Sequence, residues 1–286
     1  MTTPVEGSAR SPWFDAQLFE THRRQAGVTW GRPLRPLTLT PSTQDLALEA
    51  VGGEAKTGIV WLAREQSAGR GRRGNRWQAP AGHCLMFSTL VRHRGSAEQL
   101  KGLSLAVGLA LRDAVVSLDG LAPSAQHERR RKLRIKWPND LYFDDRKLAG
   151  ILVEVRAGPG PRERDWGLAI GVGLNTDPWD FGGHALAAVA LAQLGVGRSA
   201  RKAEALLPHI LGHLEQRVAK CLTRGCASLC DEINAVDYLH GRRLRVGGIE
   251  GVGIGVDQRG RLLVRDRAGN ICRMQSGHVQ LLSEAT

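Results

Sequence analysis

The sequence lacks a long apolar run. None of its apolar stretches approaches the roughly 20 residues that a membrane helix needs, and the N-terminal segment MTTPVEGSARSPW has no apolar signal core. We therefore expect neither a membrane protein nor a secreted one. The chain has 286 residues, of which 42% are hydrophobic, which is enough to bury a core and to divide into a large and a small domain. We expect a cytoplasmic location.

Cysteine is scarce and odd in number. Five cysteines argue against a secreted disulfide framework, and no C-x-x-C pair of the kind that zinc sites use is present. Cys221, Cys226 and Cys230 nevertheless have the spacing C-x4-C-x3-C, and His209 and His213 stand four residues apart in a predicted helix. A zinc site is one interpretation. We favour core packing, because cysteines at helical spacing are usually buried, and we assign no residue as a metal ligand.

Acidic residues are outnumbered, 28 against 40 basic ones, and the net charge of +12 raises a nucleic-acid-binding hypothesis. Its strongest local support is the run ERRRKLR at 128–134, most of which falls in what we predict to be an irregular insertion at 120–131. Residues 1–35 show no paired helical pattern of a helix-turn-helix. We therefore expect no specific DNA binding.

A basic, glycine-paced loop occupies the segment QSAGRGRRGNRWQAPAGHCLMFS at 66–88, between two strand-like apolar runs. The glycines can adopt positive φ and bring backbone N–H groups close to an anion, and the arginines add guanidinium groups suited to carboxylate and phosphate. The residues concerned are Gly69, Gly71, Gly74, Arg70, Arg72, Arg73 and Arg76. The pattern predicts an anion-binding loop, with a solvated basic hairpin or a phosphate-binding patch as the alternatives.

The same glycines match G-x-G-x-x-G, which is typical of dinucleotide-binding folds. That interpretation requires a helix directly after the glycines and an acidic residue about 20 positions later. Here the turn-rich segment WQAPAG at 77–82 follows, and residues 92–94 are basic. We therefore reject it.

Four further motifs surround this loop in a fixed order. STQD at 42–45 precedes it, while KWPND at 136–140, KLAGILVE at 147–154 and GVGLN at 171–175 follow. The proline and Asn-Asp of KWPND predict a turn between two short strands. The last two motifs predict apolar strands, the second with glycines where a side chain would block a close neighbour.

Taken in order, GRGRRG with its following tryptophan, KWPND, KLAGILVE and GVGLN resemble the catalytic domain of the bacterial biotin–protein ligases, with STQD where that family has Ser-Thr-Asn. The resemblance covers residues 36–283 and is to the form that lacks the N-terminal helix-turn-helix repressor domain. It implies an α+β fold, a mixed β-sheet catalytic domain backed by helices and class II synthetase-like, plus a small C-terminal SH3-like β-barrel. The implied division is an N-terminal extension at 1–35, a catalytic domain at 36–239 and the barrel at 240–286.

The activity implied by the resemblance has two steps. Biotin and ATP, with Mg²⁺, give biotinyl-5′-AMP and pyrophosphate, and a specific lysine of a biotin carboxyl carrier protein then receives the biotinyl group. The substrate's own carboxylate is the nucleophile, so the absence of a recognisable catalytic triad is consistent. A homodimer is possible, and transcriptional repression and membrane association are not expected.

The resemblance also assigns site residues. Lys136 and Arg72 are the catalytic candidates, because a carboxylate that meets a phosphate needs fixed positive charge. Biotin contacts are assigned to Ser42, Thr43, Gln44, Gln66, Arg70, Gly71, Arg72 and Lys136, and nucleotide contacts to Trp77, Asn175 and Lys147. The alternative roles are a helix N-cap for Ser42, a surface position for Lys136 and Lys147, a packing anchor for Trp77 and a turn for Asn175.

The family pattern is not fully kept. Gln44 replaces asparagine, Asn75 replaces arginine, and Ala79 replaces serine. The tail SGHVQLL at 276–282 lacks an acidic residue after its glycine and a basic residue at its end. Three alternatives stay open: a lipoate or octanoate ligase, which shares the fold, a nucleic-acid-binding module, and a catalytically inactive relative, which Gln44 and the altered tail suggest.

The remaining pattern predicts the order of the other elements. SAEQ at 96–99 is a capping box that opens an apolar-periodic helix to about Leu118. Residues 199–239 predict two helices broken near Gly225, and short strands between glycine-containing turns from Gly241 onward predict the small barrel.

Overall fold

The computed structural model describes residues 13–118, 123–158, 165–181 and 187–282. Its centre is a seven-stranded mixed sheet in the order β1-β2-β3-β7-β6-β5-β4, in which β1 and β2 are parallel and every other pair is antiparallel. The strands are β1 (Leu34–Thr40), β2 (Val60–Gln66), β3 (Cys84–Arg94), β4 (Leu133–Lys136), β5 (Asp140–Phe143), β6 (Arg146–Ala157) and β7 (Asp165–Asn175).

Helices cover both faces of this sheet. They are α1 (Ala16–Gln25), α2 (Thr43–Glu49), α3 (Leu103–Ser117), α4 (Pro123–Lys132), α5 (Arg198–Arg201), α6 (Ala203–Arg224) and α7 (Cys230–Asn234). On one face α3 is buried along most of its length between the sheet and α6, in a main core that apolar burial stabilises. On the other face α2 packs on β3 and β7 around a second, smaller core that includes Leu48, Trp61 and Leu90.

A five-stranded antiparallel sheet follows at the C-terminal end, in the order β11-β10-β9-β8-β12. Its strands are β8 (Arg243–Val246), β9 (Ile249–Val256), β10 (Leu262–Asp266), β11 (Ile271–Met274) and β12 (Gln280–Leu281). Leu244, Val246 and Leu262 belong to the same apolar core as Trp137, and the Trp137 indole N–H donates to the Gly260 carbonyl at 3.0 Å. The small domain is therefore seated directly on KWPND.

The predicted fold class, a mixed sheet backed by helices with a small C-terminal β domain, is confirmed. The helical region after residue 199 breaks as predicted at Gly225, which has φ 75°. The capping box at Ser96 opens a short 3-10 helix, Ala97–Leu100, rather than α3 itself. Gly102, at φ 74°, separates the two helices.

The prediction of an irregular basic insertion is wrong, because its described part, from 123 onward, is the helix α4; residues 119–122 lie outside the described ranges. The Arg129 guanidinium is buried and donates to the carbonyls of Val115 and Leu118 at 2.9 and 3.3 Å, at the C-terminal end of α3. In return, Arg112 of α3 donates to the Arg130 carbonyl of α4 at 2.8 Å. One arginine of the basic run thus caps α3 instead of facing solvent.

The histidine and cysteine candidates for a zinc site are separate. His209 and His213 face each other edge to ring and share the Ser117 hydroxyl. Cys226 is a buried free thiol, and burial raises its pKa to about 12. Over the described residues, no group of three or more His, Cys, Asp or Glu side chains is placed to hold a metal ion. No helix in the same part of the chain is long and apolar enough to cross a membrane.

Candidate active site

A cavity of about 300 Å³ opens where β2 ends and the arginine loop begins. Its wall comes from the start of α2, the loop, the turn between β4 and β5, strands β6 and β7, and the C-terminal tail. Among the described residues that line it are six cationic side chains and one carboxylate: Arg70, Arg72, Arg73, Arg76, Lys136, Lys147 and Asp140. This charge balance suits an anionic ligand.

Neutral polar side chains form one end of the cavity. The Gln66 amide oxygen accepts from the Thr43 backbone N–H at 2.7 Å and from its hydroxyl at 3.1 Å. The Thr43 hydroxyl is 2.9 Å from that of Ser88, which donates to the Gln44 amide oxygen at 3.1 Å. Ser42 lines the same end and also caps α2, accepting from the Gln44 N–H at 3.3 Å.

The structure therefore brings together the four residues predicted for this end and adds Ser88, which the sequence analysis missed. A serine in the buried and mostly apolar first part of strand β3 was the available signal, because a buried hydroxyl needs a partner. At this end of the cavity each amide and hydroxyl already has a defined orientation. Such a set can match a ligand that carries both donors and acceptors.

The arginine loop folds back as a hairpin, with an isolated β-bridge between Arg70 and Arg76. Arg70 forms ion pairs with Asp45 at 2.6 Å and Glu154 at 2.7 Å. The Arg72 guanidinium donates to the Asn139 side-chain oxygen of KWPND at 3.1 Å, and burial lowers the pKa of Arg72. The loop is thus held against β6 and the β4–β5 turn.

Positive φ occurs at Gly74, at 78°, and at Arg73, at 57°, but not at Gly69 or Gly71. At those two positions glycine serves close approach instead. A Cβ added at Gly69 would lie 2.3 Å from the Trp77 carbonyl oxygen, and one at Gly71 would lie 3.2 Å from that of Asn75. The expectation of positive φ thus holds for one glycine of the three.

The Trp77 indole lies on the glycines of β6 and β7. A Cβ at Gly173 would lie 2.4 Å from its Cε2 atom, and a Cβ at Gly150 would lie 2.8 Å from its Cζ3 atom. The Trp77 indole N–H is buried, and no described residue accepts its hydrogen bond. Lys147 lies over the ring, 5.6 Å from its centroid, and pairs with Asp140 at 2.7 Å.

Lys136 is held among aromatic rings. Its ammonium group lies 4.8 Å from the ring centroid of Tyr142 and 3.3 Å from that hydroxyl, and burial lowers the pKa of Lys136. The Tyr142 ring lies 4.8 Å from the Tyr238 ring, which the Arg242 guanidinium covers at 4.1 Å. These are the only two tyrosines in the sequence. Their scarcity, and the place of Tyr142 two residues after KWPND, was a signal that the sequence analysis missed.

Asn175 does not line the cavity, although it was predicted to face a nucleotide. Its buried side chain donates to the carbonyls of Val189 and Lys147 at 3.1 and 3.4 Å and accepts from the Cys84 thiol at 3.1 Å. The other predicted site residues all lie on the wall, and so does His278 of the tail. Asn175 therefore fixes the backbone of Lys147 rather than contacting the cavity.

Comparison with known proteins identifies the family of the chain. The model of the biotin/lipoate A/B protein ligase family matches residues 37–175. The biotin–[acetyl-CoA-carboxylase] ligase of Mycobacterium tuberculosis is 35% identical over 263 residues, which cover 89% of this chain and 90% of that protein. The chain belongs to the biotin/lipoate A/B protein ligase family.

Within this ligase family, the bifunctional ligase/repressor BirA of Escherichia coli is 37% identical over 145 residues. The match covers 51% of this chain and 41% of that protein, so it spans less than half of the relative's length. Among solved structures, the biotin protein ligase from Aquifex aeolicus in complex with biotin and ATP has a TM-score of 0.68 at 23% identity, over 88% of this chain and 99% of that chain. This structural similarity shows that the ligase fold is shared.

Proposed function

We propose that this protein is an ATP-dependent biotin–protein ligase, which activates biotin as biotinyl-5′-AMP and transfers the biotinyl group to a lysine of a biotin carboxyl carrier domain. One observation is the main support: a single cavity joins an end of neutral donors and acceptors to an end walled by cations. The ureido group of biotin, with two N–H donors and one carbonyl, suits the first end. The carboxylate and the phosphates suit the second.

In the first step a carboxylate oxygen of biotin bonds to the α-phosphorus of ATP, and the bond from that phosphorus to pyrophosphate breaks. Two anions must approach each other, so the site has to supply positive charge before the reaction begins. Lys136 and Arg72 are the proposed catalytic groups. Both are partly buried on the wall, where charge is less screened than at the surface.

In the second step the neutral amine of the acceptor lysine attacks the biotinyl carbonyl carbon, the bond from that carbon to phosphate breaks, and AMP leaves. The amide nitrogen loses its extra proton to solvent. The mixed anhydride would also react with water, so a loop that closes over it is useful. The ion pairs of Arg70 support that role for the hairpin.

The remaining assignments follow the same division. Ser42, Thr43, Gln44 and Gln66 are proposed to bind the ureido end, and Arg70 and Gly71 to cover biotin. Trp77 and Lys147 are proposed to contact the nucleotide, and the unpartnered indole N–H of Trp77 supports this. Asn175 is proposed to position Lys147.

Mg²⁺ fits the same wall. Asp140 is the only carboxylate among the described residues that line it, and Mg²⁺ in nucleotide sites is usually held by one or two carboxylates and the phosphates. Bound there, the ion would neutralise phosphate charge. The Asp140 carboxylate would then contact both the ion and the Lys147 ammonium, which lies 2.7 Å from it.

The same proposal includes a catalytic domain at 36–239 and a small domain at 240–286. It also includes a cytoplasmic location, a possible homodimer and the absence of a repressor role. The burial of Arg129 supports the last point, because it removes one charge of the basic run from the surface that nucleic acid would meet.

The test is the intact mass of a biotin carboxyl carrier domain after incubation with this protein, ATP, Mg²⁺ and biotin, with lipoate replacing biotin in a parallel tube. We expect a biotin-sized gain in the first tube only. A gain with lipoate would identify a lipoate ligase. If neither tube showed a mass gain and the protein bound nucleic acid in a salt-dependent way, the nucleic-acid-binding module would be favoured. If neither tube showed a gain and no such binding occurred, an inactive relative would be favoured.

A further inference from the structure

The carboxylate of Glu154 lies between the neutral end of the cavity and the arginine loop. One of its oxygens, Oε2, accepts from the Gln44 amide nitrogen at 3.0 Å. The other, Oε1, accepts from the Arg70 guanidinium at 2.7 Å. Glu154 does not line the cavity, and its side chain is 29% exposed. It therefore contacts two parts of the site from outside.

The amide oxygen of Gln44 is held as well as its amide nitrogen. Its amide oxygen accepts from Ser88, whose hydroxyl meets that of Thr43, which in turn contacts Gln66. Its amide nitrogen also donates to the Ala169 carbonyl at 3.1 Å. A continuous set of polar contacts thus runs from Gln66, at the neutral end, to Arg70 in the loop.

The departure from the family motif at position 44 makes this connection possible. An asparagine amide would end about 1.5 Å nearer the backbone, whereas the Gln44 side chain spans the gap between Ser88 and Glu154. Gly171 leaves room for it, since a Cβ there would lie 2.4 Å from the Gln44 amide oxygen. Gln44 therefore reaches Glu154 because its side chain is long enough and because Gly171 leaves space for its amide.

We infer that Glu154 is a positioning residue that couples occupation of the biotin end, through Gln44, to closure of the arginine loop, through Arg70. The inference rests on the proposed function for the identity of the ligand. A ligand that bonds to Ser88 and Gln44 fixes the amide that faces Glu154. The carboxylate, fixed in turn, holds Arg70 over the cavity.

The variant Glu154→Gln cannot accept hydrogen bonds from both Gln44 and Arg70. A carboxylate offers an acceptor oxygen to each donor, whereas a glutamine amide has one oxygen and one NH₂ group. In Glu154→Gln either Gln44 or Arg70 would therefore face a donor. Asp45→Asn is the matched control, because Asp45 pairs with Arg70 at 2.6 Å and no hydrogen bond joins its side chain to Gln44 in the described structure.

The experiment is limited trypsin digestion of the loop at Arg70, Arg72, Arg73 and Arg76, with and without saturating biotin. Without ligand, both variants should be cut about tenfold faster than the wild type, since in each one carboxylate that pairs with Arg70 becomes a neutral amide. With biotin, the wild type and Asp45→Asn should be protected. Glu154→Gln should lose that protection while it still binds biotin by calorimetry, with a KM for biotin raised more than its kcat is lowered.

Gln44→Asn is the second variant, which keeps the pair of Arg70 with Glu154 but removes the contact of Gln44. It should keep wild-type resistance without ligand and lose protection by biotin. Equal protection of Glu154→Gln and Asp45→Asn would overturn the inference, as would a wild type that biotinylates the carrier without loop protection. A wild type that neither binds biotin nor modifies the carrier would refute the proposed function instead. The ligand-free rates would still test the contact of Glu154 with Arg70.

Discussion

At the scale of single residues, the surroundings of Lys136 orient its charge. Tyr142 and Tyr238 stand at 4.8 and 5.9 Å from the ammonium group, and the ring of each can stabilise a cation. Burial lowers the pKa of Lys136, an effect that Asp140 opposes and that Lys147 and Arg242 reinforce. The lysine is therefore a preoriented donor for an anion on the wall, rather than a solvated charge at a strand end.

Replacement of either proposed catalytic cation tests this view. Lys136→Ala and Arg72→Ala should each slow biotinyl-adenylate formation by at least about 100-fold, because each removes charge that stabilises the reacting phosphate. The measurement is biotin-dependent exchange of labelled pyrophosphate into ATP. Arg134→Ala is the control, since this side chain lies on the same strand but donates to the carbonyls of Arg131 and Ala235, away from the cavity. Wild-type exchange in either active-site variant would contradict the assignment.

At the scale of elements, strand β7 divides the cavity through two glycines on one face. Gly171 leaves room for Gln44 and Gly173 leaves room for Trp77. Successive side chains of a strand alternate between faces, so positions two apart point the same way. The motif GVGLN therefore serves the two ends of the cavity separately.

Substitutions at these two glycines should change the KM values for biotin and for ATP separately. Gly171→Ala should raise the KM for biotin about tenfold with little effect on that for ATP, and Gly173→Ala should do the reverse, because an added methyl displaces one neighbour in each case. Steady-state kinetics of adenylate formation would measure both constants. Gly197→Ala, where a Cβ would meet nothing within 4 Å, is the control. Equal changes in both constants for both variants would contradict the division.

The glycines also show how far the sequence could predict the site. Their pattern indicated a close neighbour, but which side chain fills each place depends on the order of the strands and on the path of the loop. Helix α4 was missed for another physical reason. The segment has no apolar face, and the buried side chain that positions it is Arg129, which any hydropathy pattern treats as exposed.

The buried arginine of α4 leads to a stability prediction. Arg129→Met should lower the free energy of unfolding by about 1 to 3 kcal/mol, because the carbonyls of Val115 and Leu118 lose a buried donor. Urea denaturation followed by circular dichroism would measure the change. Arg131→Met, at an exposed position of the same helix, should change the stability by no more than about 0.5 kcal/mol. Equal effects would show that Arg129 is not a specific cap.

At the scale of the whole molecule, the segment between α7 and β8 joins the two sheets. It runs beside β4, where the Ile135 N–H donates to the Val236 carbonyl at 2.8 Å and the Tyr238 N–H donates to the Ile135 carbonyl at 2.9 Å. The next residue of the strand is Lys136. The segment that leads into the small domain therefore adds to the edge of the catalytic sheet at the residue before the proposed catalytic lysine.

Asp237 lies in this segment, and its burial makes the junction sensitive to pH. One carboxyl oxygen accepts from the Leu239 N–H at 2.9 Å, while the other is buried and finds no partner among the described residues. Burial raises the pKa of Asp237 from its usual 3.8 to about 6, against the lowering effect of that hydrogen bond. Because the folded-state pKa is the higher one, the folded state binds the proton more tightly. The stability this contributes is complete below pH 3.8 and is lost as the pH rises through about 6.

Asp237→Asn should remove this dependence. A neutral amide can still accept from Leu239 and carries no buried charge, so the variant should gain about 1 to 3 kcal/mol relative to the wild type between pH 4 and pH 7.5. Thermal unfolding of both proteins across that range would measure the difference in Tm, which should widen as the pH rises. Asp231→Asn, at an exposed position of α7, should show a difference that stays flat. If the Tm difference between Asp237→Asn and the wild type also stayed constant with pH, the Asp237 carboxylate would be ionised in the folded state at little cost. The stability of the junction between the two sheets would then not depend on the titration of Asp237.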